Sequence, residues 1–149
     1  MRATKTWIFI GDGSRARIVE NDGPGKGLQP ALDKEFKLPQ MRTGEMGADR
    51  PSTRGGMGGQ LRHGVEPKTD WHEQEKESFA REMADMLTEA AGKKQFDRLV
   101  LVAPPAFLGA MRAKLGAAAQ DLISGELAKD LTHVSLHDLP GHLEDTLAV

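Results

Sequence analysis

One apolar run constrains the fold of this chain more than any other feature. It is Leu99-Val100-Leu101-Val102-Ala103, preceded by Asp97 and Arg98 and closed by Pro104 and Pro105. Five consecutive apolar residues show no alternation, so both faces are expected to be buried, as in an inner strand of a parallel sheet. Pro105 suits the first turn of a helix, where a missing N–H leaves nothing unpaired. Leu108, Met111, Leu115 and Ala118 follow at helical spacing and predict one apolar stripe. Strand, tight turn and helix, in that order, form the repeating unit of an α/β sheet.

At 149 residues, 38% of them hydrophobic and 28% charged, the chain reads as a single soluble domain spanning 1–149. A formal net charge of −2 provides no global basic field for nucleic acid or membrane. The absence of cysteine excludes disulfides, thiolate nucleophiles and cysteine-ligated zinc, and fits a reducing compartment. Trp7 to Ile10 is too short for the core of a signal peptide. No stretch approaches the ~18 apolar residues of a membrane span. The expected location is the cytoplasm, with no membrane contact.

Thr6 to Ile10 and Arg15 to Glu20 read as two strands of a hairpin, joined by Gly11-Asp12-Gly13-Ser14. Leu32, Phe36 and Leu38 alternate with charged residues and predict a third strand near an edge. Residues 40–69 lack apolar periodicity. They hold seven glycines between Gly44 and Gly64 and read as one long Gly/Arg-rich loop, a length that in a compact domain is either functional or disordered. Asp70 and Glu73 have capping-box spacing at the start of a helix. Phe79, Met83, Leu87 and Ala90 give its apolar stripe, and Gly92 is placed to end it, with Lys93 and Lys94 at the negative pole. Leu122 to Leu127 fits strand and helix about equally. Ser135 is placed to cap a terminal helix with Asp138 at its third position; Pro140 then falls awkwardly in or just after the first turn, which makes Leu139 an alternative start. The whole is an α/β fold: a mixed sheet of four or five strands, opened by a hairpin, with helices packed on it.

Five segments carry a family resemblance. They are Trp7 to Glu20, Arg62 to Asp70, Glu75 to Ala80, Leu99 to Arg112 and Glu126 to Thr132. The pair A-P-P-x-x-L-G-x-x-R and, downstream, E-L-x-K-D-L-T is the most specific part. With these the chain resembles the bacterial host attachment family, described as proteins required for attachment to host cells. That family is similar to the middle domain of the archaeal and eukaryotic peptide-chain release factor and to bacterial release-factor-like proteins. The resemblance implies a ribonuclease-H-like α/β domain and a link to translation.

Gly58-Gly59-Gln60 sits in the long loop, and the release-factor middle domain carries Gly-Gly-Gln in a loop of comparable placement. Two glycines let the main chain approach an ester closely, and an amide N–H can face a developing oxyanion. In a loop this rich in glycine, composition alone also produces such a triplet, and the triplet is not among the segments that carry the family resemblance. Arg42, Arg50, Arg54 and Arg62 are candidates for contacts to RNA or another partner, although Glu45, Asp49, Glu66 and Asp70 dilute their charge. Gly11-Asp12-Gly13-Ser14-Arg15 reads as a plain hairpin turn rather than a phosphate cradle, since a strand follows it. Asp12 and Ser14 form a polar pair at a strand end. Two groups are candidate metal ligands by residue type: His63, Glu66, Asp70 and His72, and His133, His137 and His142. Neither has a recognised ligand spacing, and the second group reads as surface histidines. No cofactor or metal is expected. No spacing supports a catalytic triad.

These residues favour a non-enzymatic cytoplasmic binding module working through the 40–69 loop, with the ribosome, tRNA or a protein complex as partner. The enzymatic alternative is a ribosome-linked peptidyl-tRNA ester hydrolase acting through Gly58, Gly59 and Gln60. A surface adhesin would need an export signal that is not seen. Pairing of two copies through the strand near Leu32 to Leu38 is a further expectation.

Overall fold

The computed structural model describes residues 4–32, 35–38 and 65–146, with the backbone alone described for 65–73. Its elements, in order, are β1 (Thr6–Gly11), β2 (Arg15–Asn21), β3 (Gln29–Pro30), β4 (Phe36–Lys37), α1 (Val65–Gly92), β5 (Arg98–Val102), α2 (Pro105–Lys114), α3 (Ala117–Gln120), β6 (Ile123–Leu127) and α4 (Leu139–Leu143). The strands form one mixed sheet in the order β3-β2-β1-β5-β6, with β4 also paired to β2. β1 is antiparallel to β2 and parallel to β5, which is parallel to β6.

β1 and β5 lie side by side in the middle of the sheet, and their residues are apolar on both faces. Trp7, Phe9, Leu99 and Leu101 share one core with Phe79, Met83 and Leu87 of α1 and Phe107 and Met111 of α2. Ile8, Ile10, Val100 and Val102 share a second with Leu131, Leu139 and Leu143 of the closing segment. The expected doubly buried strand is therefore present, and Pro105 opens α2 as expected. Trp7 packs on Phe96 at 4.9 Å and its indole Nε1 donates to Glu20 Oε1 at 3.0 Å.

Several boundaries differ from the sequence reading, each for a local reason. The third strand is two short ones. Gln29 and Pro30 pair with Glu20 and Val19, and Phe36 and Lys37 pair with Ala16 and Arg15. Pro30 has no N–H to extend a ladder, and Leu32 lies in the bend between the pieces. α1 starts at Val65, not Asp70, so the loop ends before residue 65. Pro67 falls in the first turn, where its missing N–H has no intrahelical partner to lose.

At the other end Gly92 stays helical, and Lys94 takes the positive φ, at 59°. Lys94 N–H donates to Ala91 O and Gln95 N–H to Ala90 O, both at 3.0 Å. That is the bond pattern of a Schellman cap with lysine in the glycine position. The stripe of α2 stops at Leu115, and Ala119 rather than Ala118 is buried. The break is at Gly116. Its N–H donates to Thr88 Oγ1 at 3.0 Å, and a Cβ there would lie 2.7 Å from Thr88 Cγ2. Leu122 to Leu127 resolves as strand: Leu99 N–H donates to Leu122 O at 2.8 Å and Ala103 N–H to Leu127 O at 3.1 Å. α4 starts at Leu139, with Pro140 second.

Two substitutions test these contacts by urea unfolding. Gly116→Ala is expected to cost about 1–3 kcal/mol through overpacking. Most of that loss should disappear in a Thr88→Ser background, which keeps the hydroxyl and removes Cγ2. Lys94→Gly relieves ~1–2 kcal/mol of left-handed strain and loses ~0.4–1 kcal/mol to unfolded-chain entropy. The expected net gain is about 0.5–1 kcal/mol.

Candidate functional site at the carboxyl edge of the sheet

β1, β5 and β6 run the same way, so their carboxyl ends share one edge of the sheet. Ligands of open α/β sheets bind beyond that edge. Three pieces of chain meet there: the turn after β1, the start of α2 after β5, and the residues after β6.

The turn is built around Asp12. Its Oδ1 accepts from the Ser14 N–H at 2.9 Å, the Arg15 N–H at 3.0 Å and the Ser14 hydroxyl at 3.1 Å. Gly13 supplies the φ of +97° that closes the turn. This is the hairpin turn expected from the sequence. The pairing of Asp12 with Ser14 is also as read, but Asp12 does more. Its Oδ2 faces the Thr132 hydroxyl, 120 residues away in the chain, at 3.2 Å. Thr132 is only 8% exposed, and its Oγ1 also lies 2.6 Å from Asp130 Oδ1. The Thr132 N–H donates to that same oxygen at 3.0 Å. One ligand atom each from Asp12, Asp130 and His133 lie within 4.8 Å of one another. Burial alone would raise the Asp12 carboxyl. The Ser14 and Arg15 N–H groups and the Ser14 and Thr132 hydroxyls outweigh it and hold the group below its ordinary 3.8.

Arg17 of β2 fixes the segment that carries these residues. Its guanidinium Nη2 donates to Leu131 O at 3.2 Å and to Val134 O. A second link joins α2 to β6. Arg112 Nε and Nη2 donate to Glu126 Oε2 and Oε1 at 3.0 and 2.7 Å. The hydrogen bond from Arg112 holds the Glu126 carboxyl below its usual range. These contacts join the two most specific sequence segments, Ala103 to Arg112 and Glu126 to Thr132, to each other and to the turn at Gly11 to Arg15.

Leu38, the last described residue before position 65, lies at the same edge. Leu38 N–H donates to Ser14 O at 2.8 Å. α1 passes beside the turn, where a Cβ on Gly13 would lie 3.8 Å from Lys76 Cδ. Further along, α1 sets Phe79 against Phe107 at 6.0 Å and Thr88 against Gly116. The helix therefore passes this edge at Lys76 and runs along the sheet from there.

Of the residues singled out in the sequence, Gly58, Gly59, Gln60, Arg42, Arg50, Arg54 and Arg62 lie outside the described residues. So do His63 and the side chains of Glu66, Asp70 and His72. His133, His137 and His142 are exposed, as expected. His133 does not group with the other two, however; it meets Asp12 and Asp130. Asp130, Thr132 and Arg17 escaped the sequence reading because their partners are more than a hundred residues away. The one available signal was that Asp130 and Thr132 belong to E-L-x-K-D-L-T. A cleft of about 520 Å³, lined in part by Lys5, Glu20, Asp22 and Lys26, opens at the opposite edge. Two of its charges, Lys5 and Glu20, lie 3.9 Å apart and satisfy each other.

A family model described as "Protein required for attachment to host cells" matches residues 7–143. The match contains every residue of the edge described above. Among solved structures, the chain is similar to an archaeal translation termination factor, at 12% identity and a TM-score of 0.48. That similarity covers 95% of this chain and 39% of the other, so the chain spans well under half of that protein's length. No curated protein matches the chain.

Asp12→Ala is expected to destabilise the protein by about 1–2 kcal/mol at neutral pH, because it orphans the turn N–H groups. A carboxyl held below its ordinary value contributes fully above that value and loses its contribution as pH falls through the native one. The stability gap between wild type and variant, followed by urea midpoint, should therefore narrow below about pH 4.

Proposed function

The chain belongs to the family of proteins required for attachment to host cells, and from that premise we propose that it is a non-enzymatic cytoplasmic binding module. Residues 39–64, which the chain enters at the carboxyl edge of the sheet, are what it offers to an RNA-containing partner, with the ribosome as the first candidate. One observation carries this reading. The chain enters residues 39–64 from Leu38, whose N–H is hydrogen-bonded to Ser14 O in the turn at the edge where Asp12, Asp130 and Thr132 meet.

The helix start sharpens the charge argument. Glu66 and Asp70 belong to α1, not to the loop. That leaves Arg42, Arg50, Arg54 and Arg62 against Glu45 and Asp49, in a chain of net charge −2. A locally basic segment on a mildly acidic protein is suited to phosphate contacts, which weaken steeply with salt. Among the described residues, no helix is long and apolar enough to cross a membrane.

The test is sedimentation of the tagged protein in its own cell lysate through sucrose gradients at low and moderate salt. Wild type is run beside a variant lacking Met41 to Arg62. Co-migration with ribosomes that weakens with salt and disappears in the variant is the expected outcome. Migration as a free small protein in both forms overturns the reading. Under the hydrolase alternative, ribosome-dependent ester release would be present and lost in Gln60→Ala; a binding role has no such activity to lose.

A further inference from the structure

We propose that Asp12, Asp130 and His133 form a binding site for a divalent first-row transition-metal ion, of the Mn²⁺ or Zn²⁺ class. Two carboxylates and one imidazole are a mixed oxygen and nitrogen donor set suited to those ions. Their ligand atoms already lie within 4.8 Å of one another. Asp130 and His133 are both exposed, and ligation at about 2.0–2.2 Å needs them drawn only slightly closer than that spacing. The protein supplies three ligands and leaves the other positions to water or to a partner's oxygen atoms.

Asp12 is built as a ligand. Its Oδ1 is fully engaged by Ser14 and Arg15, which fixes the plane of the carboxylate, and its Oδ2 is turned toward the Thr132 hydroxyl, which also lies 2.6 Å from Asp130 Oδ1. Outer hydrogen bonds that orient a ligand in this way are a recurrent part of metal sites. The segment carrying Asp130 and His133 is anchored as well, through Arg17 and the carbonyls of Leu131 and Val134.

Thr132 is 8% exposed and aims its hydroxyl between Asp12 Oδ2 and Asp130 Oδ1. A hydroxyl has one proton, so it serves one of these oxygens and presents a lone pair to the other. Among the described residues, no lysine or arginine is ion-paired with Asp12 or Asp130. A buried oxygen held between two carboxylates, with one proton and no counter-charge, is an arrangement that a cation completes.

The experiment is isothermal titration of the metal-stripped full chain with MnCl₂ and, separately, ZnCl₂, alongside the proton NMR signals of the histidine rings. We expect one site per chain for each ion, with selective broadening of the His133 ring by Mn²⁺. Asp130→Asn and His133→Ala, both at exposed positions, should each weaken binding at least about tenfold. His137→Ala should leave it unchanged, which separates this site from stray binding by surface histidines. Retained affinity in Asp130→Asn and His133→Ala overturns the proposal, as does an absence of binding by either ion up to millimolar concentration. Neither result touches the ribosome reading, which the gradient tests alone.

Discussion

The parallel pairing of β1 with β5 is the constraint on which the rest of the structure depends. Ile8 lies opposite Val100 and Phe9 opposite Leu101, so each strand presents an apolar row to both faces of the sheet. A strand apolar on both faces must be covered twice. α1 and α2 cover one side, and the closing segment covers the other with Leu131, Leu139 and Leu143. Burying a side chain of this size contributes roughly 1.5–3 kcal/mol, so the two covers are held by the largest driving force available to the chain.

That double covering also builds the carboxyl edge. Leu131 is buried in the second core, and Thr132 follows it directly. Anchoring the leucine sets the threonine, and with it Asp130 and His133, against the Asp12 turn. Arg17 lies opposite Ile10 in the β1–β2 ladder and reaches the same segment through two carbonyls. The edge therefore inherits its geometry from core packing and from one guanidinium rather than from a loop with conformational freedom.

The sequence disclosed the parts whose signal is local. The run at Leu99, the proline start of α2 and the stripe from Phe79 to Ala90 each lie within one element, and each was legible. The misplaced boundaries share a cause. Asp70 and Glu73 look like a cap, yet nothing local forbids the helix from starting earlier, because Pro67 is harmless in a first turn. Gly92 looks like a terminator, yet the chain runs on and places Lys94 in the left-handed position. Ala118 continues the spacing of α2, but the close approach of Gly116 to Thr88 belongs to another helix and leaves no trace in the local pattern. The site was opaque for the same reason on a larger scale: Asp12 and Thr132 are 120 residues apart.

The Arg112–Glu126 link helps to interpret the edge. Arg112 is half exposed, with 52% of its side-chain surface accessible. An ion pair this exposed is screened by water and contributes little to stability. Its effect is positional: it holds the body of α2 against β6, just upstream of Lys129 and Asp130. At the edge itself, Asp12 and Asp130 bring two carboxylates together around the Thr132 hydroxyl, and among the described residues no lysine or arginine is ion-paired with either. Within a Debye length of about 8 Å at physiological salt, that concentration of negative charge repels a polyanion, and it is the charge a cation placed between the two carboxylates would offset.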